Sequence, residues 1–219
     1  MKVYLDNAAT TMVRKEVVDA MIPAFTTYYG NPSSLHEYAR EAEQLLDSAR
    51  KDVASIIGAK PDEIVFTGGG SESDNMALRG AVAANKKKGK HVITSAVEHH
   101  AVLYTLQAME REGLIDLTIL PVDEYAVVSA ESVAAAIRED TVLVSIMFAN
   151  NEVGTINPIA EIGKVCRDKG VLFHTDAVQA TGHVPIDVVK MNIDMLSISA
   201  HKFHGPKGVG VLYIRKGVR

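Results

Sequence analysis

The sequence predicts a three-layer α/β domain, on three observations. Short apolar runs rich in β-branched residues alternate with longer stretches of helical period. Several runs are apolar throughout, as strands are when a mostly parallel sheet buries both their faces. The composition is also that of a globular chain: 219 residues, 47% hydrophobic and 23% charged. A chain of that length buries roughly 70% of the surface exposed by its unfolded form.

Along the chain, residues 1–13 show no helical period and are expected as an extended arm, with 14–219 forming the domain. A helix is expected near 36–57, then a strand at Glu63-Ile64-Val65-Phe66-Thr67 and a helix near 71–88. The run Lys86-Lys87-Lys88-Gly89-Lys90 falls where that helix should end, and cations there suit the helix dipole. His91-Val92-Ile93-Thr94, Thr118-Ile119-Leu120 and the long run 142–148 read as strands, with helices near 100–112 and 129–138 between them. A last helix is expected over 158–169. Pro158 suits its first turn and Gly170 its C-terminal cap. Strands at 171–174, 195–199 and 209–214 complete the pattern.

The same counts exclude several functions. A net charge of −4 gives no general attraction to nucleic acid or an anionic membrane. No apolar stretch approaches the roughly 18 residues of a membrane span, and polar residues interrupt the N-terminus before a signal-peptide run develops. The single cysteine, Cys166, rules out an intramolecular disulfide and a Cys-rich metal knuckle, and fits a reducing, cytoplasmic setting.

In open α/β sheets ligands bind beyond the carboxyl ends of the strands, and four strand ends carry unusual polar residues. Thr67-Gly68-Gly69-Gly70-Ser71 places glycines between a strand and a helix start, a cradle for phosphate or else a tight turn with a Ser cap. Asp176 follows a buried strand, where a carboxylate needs a cationic partner unless it caps the next segment. Ser199-Ala200-His201-Lys202 offers an amine nucleophile or a solvated loop lysine. Asp176 and Lys202 stand 26 residues apart, a spacing suited to a crossover between parallel strands, so both side chains can reach one sheet edge. Asn150-Asn151 is a turn signal first and a ligand-binding amide second. His99-His100 and His201/His204 suggest metal, but adjacent side chains diverge and Gly205-Pro206 leaves little helix, so no metal site is expected. A phosphate cradle, an imine-forming lysine, a carboxylate and a stacking ring together describe a pyridoxal phosphate site, in which the acid keeps the pyridine nitrogen protonated.

These residues also carry a resemblance. Tyr4-Leu5-Asp6-Asn7-Ala8-Ala9-Thr10-Thr11, Gly30-Asn31-Pro32-Ser33-Ser34, Gly70-Ser71-Glu72-Ser73-Asp74-Asn75, Glu98-His99, Asn150-Asn151-Glu152-Val153-Gly154, His174-Thr175-Asp176-Ala177-Val178-Gln179 and Ser199-Ala200-His201-Lys202-Phe203-His204-Gly205-Pro206 resemble cysteine desulfurases of the iron–sulfur cluster assembly type, class-V aminotransferases. The resemblance implies the PLP-dependent transferase fold of the aspartate aminotransferase type (fold type I). It implies a large domain here, with most of the small domain beyond residue 219. It implies that Lys202 holds the cofactor, Asp176 pairs with the pyridine nitrogen, and Asn151 and Gln179 contact the ring oxygen or its surroundings. His99 would stack on the ring and move protons, and Gly70, Ser71, Ser199, Ala200 and His201 would form the phosphate end. The implied reaction converts L-cysteine to L-alanine and leaves sulfur as a persulfide, in a homodimer or with a complementing C-terminal chain, for an iron–sulfur scaffold or other acceptor protein. Family members carry the persulfide cysteine and the substrate-binding arginine downstream of residue 219. Cys166, in register with Ile159 and Ile162, is expected on a helix face against the sheet, inert. Two further readings stand beside this one: a catalytically incomplete cofactor-binding or partner-binding module of a split enzyme, and a related selenocysteine or cysteine-sulfinate lyase.

Overall fold

In the computed structural model, which describes residues 1–218, the alternation becomes a seven-stranded sheet flanked by helices. The elements are α1 (Lys15–Thr26), α2 (Glu37–Ile57), β1 (Ile64–Thr67), α3 (Gly70–Asn85), β2 (His91–Ser95), α4 (His100–Arg111), β3 (Asp116–Leu120), α5 (Ala130–Ala136), β4 (Thr141–Ser145), α6 (Ile159–Lys169), β5 (Leu172–Asp176), β6 (Met195–Ser199) and β7 (Gly210–Ile214). Arg219, the last residue of the expected domain, lies outside the described residues.

The strands lie in the order β1-β7-β6-β5-β4-β2-β3. β3, β2, β4, β5 and β6 are parallel, while β7 runs antiparallel to both β6 and β1. β1 therefore points the same way as the five parallel strands, and β7 alone is reversed. Period-two side-chain alternation divides the interior into two cores. On one face Ile93, Val144, Leu196 and Tyr213 pack with Ala54 and Ile57 of α2 and Ile159, Ile162 and Cys166 of α6. On the other, Val92, Val142, Met195 and Leu212 pack with Leu78 and Val82 of α3 and Val102, Leu106 and Met109 of α4. Each fully buried aliphatic side chain contributes about 1.5–3 kcal/mol, which makes the two-sided sheet the principal source of stability.

Where the elements differ from the sequence reading, side chains decide the outcome. The run 142–148 is a strand only to Ser145. Beyond that point β2 has turned away, and the Met147 N–H donates instead to Glu98 Oε1 at 2.9 Å. α3 ends at Asn85 rather than 88, where the Asn85 amide donates to the Ala81 carbonyl at 2.8 Å and competes with helix propagation. α6 begins after Pro158 and stops at Gly170, whose φ of 65° is the left-handed cap that glycine adopts without strain. The link from β5 to β6 is a series of turns, anchored where the Val188 N–H donates to Ile57 O at 2.9 Å.

At the other extreme, α1 buries none of its residues, and Val18, Ile22 and Phe25 are exposed. No helix among the described residues is long and apolar enough to cross a membrane. Cys166 is fully buried, and burial, reinforced by the Asp194 charge, pushes its thiol pKa up to about 12. The native chain is therefore expected to resist alkylation by iodoacetamide at pH 8 and to label at one site once denatured, read by intact mass. Labelling of the folded chain at the rate of a free thiol would contradict this burial.

Candidate active site

Because β1, β2, β4, β5 and β6 share a direction, their carboxyl ends, and the segments that follow them, gather along one sheet edge. A cleft of about 410 Å³ opens there, within the size range of small-molecule sites. Gly70, Ser71, His99, Asn151, Asp176, Gln179, Ser199, His201 and Lys202 all line it, whereas Ala200, between two of them in the 3-10 turn Ala200–Lys202, does not.

Gly70 and Ser71 open α3 at one end of the cleft, where first-turn N–H groups have no partner within the helix and the dipole favours an anion. A Cβ on Gly70 would lie 2.7 Å from Val178 Cγ2, so only glycine lets the helix start sit this close to the β5 side of the cleft. Ser199 and His201 approach from the end of β6, and a shallow hollow continues past them to Lys207 and Gly208. Burial, then the charges of Lys202 and Lys207, lowers the His201 pKa, so these cations discourage its protonation.

Asp176 is the last residue of β5 and is 5% exposed. Its Oδ1 accepts the Val178 N–H at 2.9 Å. Burial raises its pKa; the Val178 N–H and the charges of His99 and Lys202 pull it back. Lys202 is partly buried, and desolvation lowers its pKa against the opposing pull of Asp176 and Asp6. The two shifts bring amine and acid closer to exchanging a proton than either would be in water. His99 caps α4, with Nδ1 accepting the Ala101 N–H at 3.1 Å, while its neighbour His100 turns away to stack on Tyr104 at 4.3 Å.

The doubled asparagine divides, one residue to the turn and one to the cleft wall. Asn150 makes the turn: its Oδ1 accepts the N–H groups of Glu152 and Val153, and its amide donates to Val97 O. Asn151 faces the cleft. Residues the sequence reading gave no role also line the cavity, chiefly Asp6, Ala8 and Ala9 near the N-terminus, and Asp74 on α3. Lys202 Nζ donates to Ala8 O at 2.6 Å and to Ala9 O at 3.1 Å, and Gln179 Nε2 donates to Ala8 O at 2.8 Å. Thr11 fastens the segment to the lysine turn, its N–H and hydroxyl both donating to His201 O at 2.9 Å. Asp74 lies one turn beyond Gly70 and Ser71, a spacing that puts it on their helix face but does not tell whether that face is buried. The Ala8 and Ala9 contacts run through backbone carbonyls across about 190 residues and leave no trace in residue type.

The donor set discriminates between possible guests. Asp74, His99 and Asp176 each bring one potential ligand atom within 4.8 Å of the others. An amine and a helix N-terminus share their cleft, and these have no work to do for a bare cation. A phosphorylated pyridine aldehyde fits this set better: the helix start would take the phosphate, Lys202 the aldehyde and Asp176 the ring nitrogen. Asp74 Oδ1, buried without a hydrogen-bond partner, adds a polar atom to a wall that otherwise suits a planar ring.

A family profile described as aminotransferase class-V matches residues 3–219. The chain is 58% identical over 217 residues to the cysteine desulfurase IscS of Methanosarcina thermophila, covering 99% of this chain and 54% of that protein. It is 56% identical over 218 residues to the cysteine desulfurase IscS of Clostridium botulinum (strain Kyoto / Type A2), covering 100% and 55%. The chain thus spans about half the length of the curated relatives it matches. Among solved structures, a NifS-like protein superposes with a TM-score of 0.96 at 44% identity, over 100% of this chain and 60% of that one. SspA in complex with cysteine superposes with a TM-score of 0.95 at 44% identity, over 98% and 62%.

Proposed function

The chain belongs to the class-V aminotransferase family, and from that premise we propose that it is the cofactor-binding part of a pyridoxal-phosphate-dependent cysteine desulfurase. The observation that carries the reading is one cleft that joins a desolvated lysine, a buried aspartate and a helix N-terminus. Relatives named cysteine desulfurase at 58% and 56% identity, and a neighbour solved with cysteine, support L-cysteine as the substrate.

When bound, pyridoxal phosphate supplies an electron sink for charge developing at the substrate's Cα. The chain supplies the rest. Gly70 and Ser71 receive the phosphate on free N–H groups, with Ser199 and His201 completing that end. Asp176 would face the ring nitrogen: burial favours its neutral carboxyl, and a protonated nitrogen held beside it would favour the charged one. Lys202, its amine shifted toward the neutral form by burial, would be the nucleophile that holds the cofactor, and to do so it would leave the carbonyls of Ala8 and Ala9. Asn151 and Gln179, which line the same cleft, would help to orient the ring. His99 Nδ1 is committed to the Ala101 N–H, so proton transfer to or from the substrate falls to Nε2.

Cys166 cannot take the sulfur. It is this sequence's one cysteine, it lies buried between α6 and the sheet, and a thiol with a pKa near 12 is not a nucleophile at neutral pH. The acceptor is a thiol outside these 219 residues, on a further segment, a partner protein or a small molecule. We assign the chain to the cytoplasm and to a homodimer or a complex with a complementing chain. Val18, Ile22 and Phe25 stand exposed on α1, and such apolar surface associates.

Addition of pyridoxal phosphate is expected to turn the chain yellow, with a near-visible absorption band, and Lys202→Ala to abolish that band. A wild-type chain that stays colourless at millimolar cofactor would sink the reading. Sedimentation is expected to show a dimer, or a monomer that pairs when a C-terminal chain from a relative is added. A monomer under both conditions would contradict the assembly proposed.

A further inference from the structure

Asp74 and Asp176 form a pair of buried carboxyls that a single cleft cannot leave doubly charged. Asp74 enters from the first turns of α3 and is 1% exposed; Asp176 enters from the end of β5 and is 5% exposed. An oxygen of each lies within 4.8 Å of the other. At that separation and burial, two like charges repel by several kcal/mol at an effective dielectric of about 20, so one carboxyl keeps a proton.

The surroundings decide which one. Against its burial, Asp176 has the Val178 N–H on Oδ1 and the nearby Lys202 ammonium, both of which favour its ionised form. Asp74 has less help, from the Ser197 hydroxyl alone and from no cation. Its Oδ1 has no hydrogen-bond partner. His174 on β5 approaches it at 3.7 Å, but that imidazole is fully buried, sits between the hydroxyls of Ser145 (2.9 Å) and Ser197 (3.0 Å), and has its pKa driven down to about 3. It is neutral and offers no counter-charge. Glu98, preceding α4, adds only negative charge when it ionises, and burial holds its own pKa up at about 8. The groups facing Asp74 are therefore Asp176 and His174 from β5, the Ser197 hydroxyl from β6, and Glu98 and His99 ahead of α4. Of these, the Ser197 hydroxyl eases its ionisation, against burial and the two carboxyls.

We propose that Asp74 is a positioning residue that stays a neutral carboxylic acid throughout, so that Asp176 alone carries negative charge toward the ring nitrogen of the cofactor. This rests on the proposed cofactor reading for its purpose, though not for its electrostatics. A neutral second acid fills the wall behind Asp176 without drawing the ring's proton or the Lys202 ammonium toward itself. An ionised one would offer a competing seat for both.

The test uses Asp74→Asn, which keeps size and hydrogen bonding but cannot ionise, alongside Asp176→Asn. The first readout needs no cofactor. A carboxyl whose folded pKa lies above its unfolded value of about 3.9 binds more protons in the native state, so it costs stability increasingly as pH rises from the unfolded toward the folded pKa. Replacing Asp74 by Asn removes that cost. The melting temperature of Asp74→Asn relative to the parent is therefore expected to rise steadily from pH 5 to pH 8. A gap that stays flat or closes over that range overturns the proposal.

The second readout uses the chain loaded with pyridoxal phosphate. The infrared difference between parent and Asp74→Asn at pH 7.5 is expected to show the C=O stretch of a protonated carboxylic acid, and Asp176→Asn to weaken cofactor binding at least about tenfold more than Asp74→Asn. A carboxylate stretch in that difference, or equal losses from the two variants, also overturns it. Failure of the parent to load cofactor would instead strike the functional reading, and the pH dependence of stability would still decide the state of Asp74.

Discussion

Strand direction is the constraint on which the site depends. A side chain on the carboxyl end of one strand meets a group on another only if the two strands end on the same side, and β1, β2, β4, β5 and β6 do. Their parallel crossovers place a helix or a turn series between each pair of strands. That arrangement takes up the two faces with packed helices and leaves the edge free for polar groups. β7 makes the exception useful: it runs backward between β1 and β6, so Gly210, at its start, pairs with both Thr67 and Ser199 and locks the glycine turn to the lysine turn. A Cβ on Gly210 would come within 2.6 Å of Gly69, which shows how tightly those two turns are drawn together.

Once the edge is fixed, burial sets its chemistry. The cleft floor contains more acid than a dry interior tolerates in charged form, and the protein answers by keeping some of it protonated. Glu98 illustrates the structural use of such a group: one oxygen serves the Ser95 hydroxyl and the Met147 N–H, and so shapes the wall without facing the guest. His174 illustrates the complementary use, an imidazole held neutral as a bridge between Ser145 and Ser197. The reactive groups are those that reach the cleft wall, where neighbouring charges rather than burial alone settle their protonation.

Much of this was legible in the sequence, for reasons that can be named. The inner strands were visible because strands buried on both faces carry apolar runs, the half-covered edge strands β1 and β3 by shorter ones, and Gly70-Ser71, Asp176 and Lys202 were visible because each interrupts or follows such a run. The end of β4 was not, since Ile146-Met147-Phe148 remain apolar and Ile146 and Phe148 still bond to β5, while the Met147 N–H goes to the side chain of Glu98. Nor was the role of Asp74, which lies within a helical period where only the packing of α3 over β5 and β6 tells burial from exposure. The closure of the cleft by Ala8 and Ala9 was hidden altogether, because a backbone carbonyl looks the same in every sequence. The class-V profile over residues 3–219 carries the family assignment, and the parallel sheet edge is what brings those strand-end residues together.

The account stands on one lysine being unlike the others in its access to a glycine turn at a helix start and a buried acid at once. The most direct measurement is reduction of the chain with borohydride after incubation with stoichiometric pyridoxal phosphate, followed by peptide mass mapping. A single phosphopyridoxyl group on Lys202, blocked by excess inorganic phosphate, is the result expected. Label spread over the surface lysines, or concentrated on any lysine other than Lys202, would contradict it.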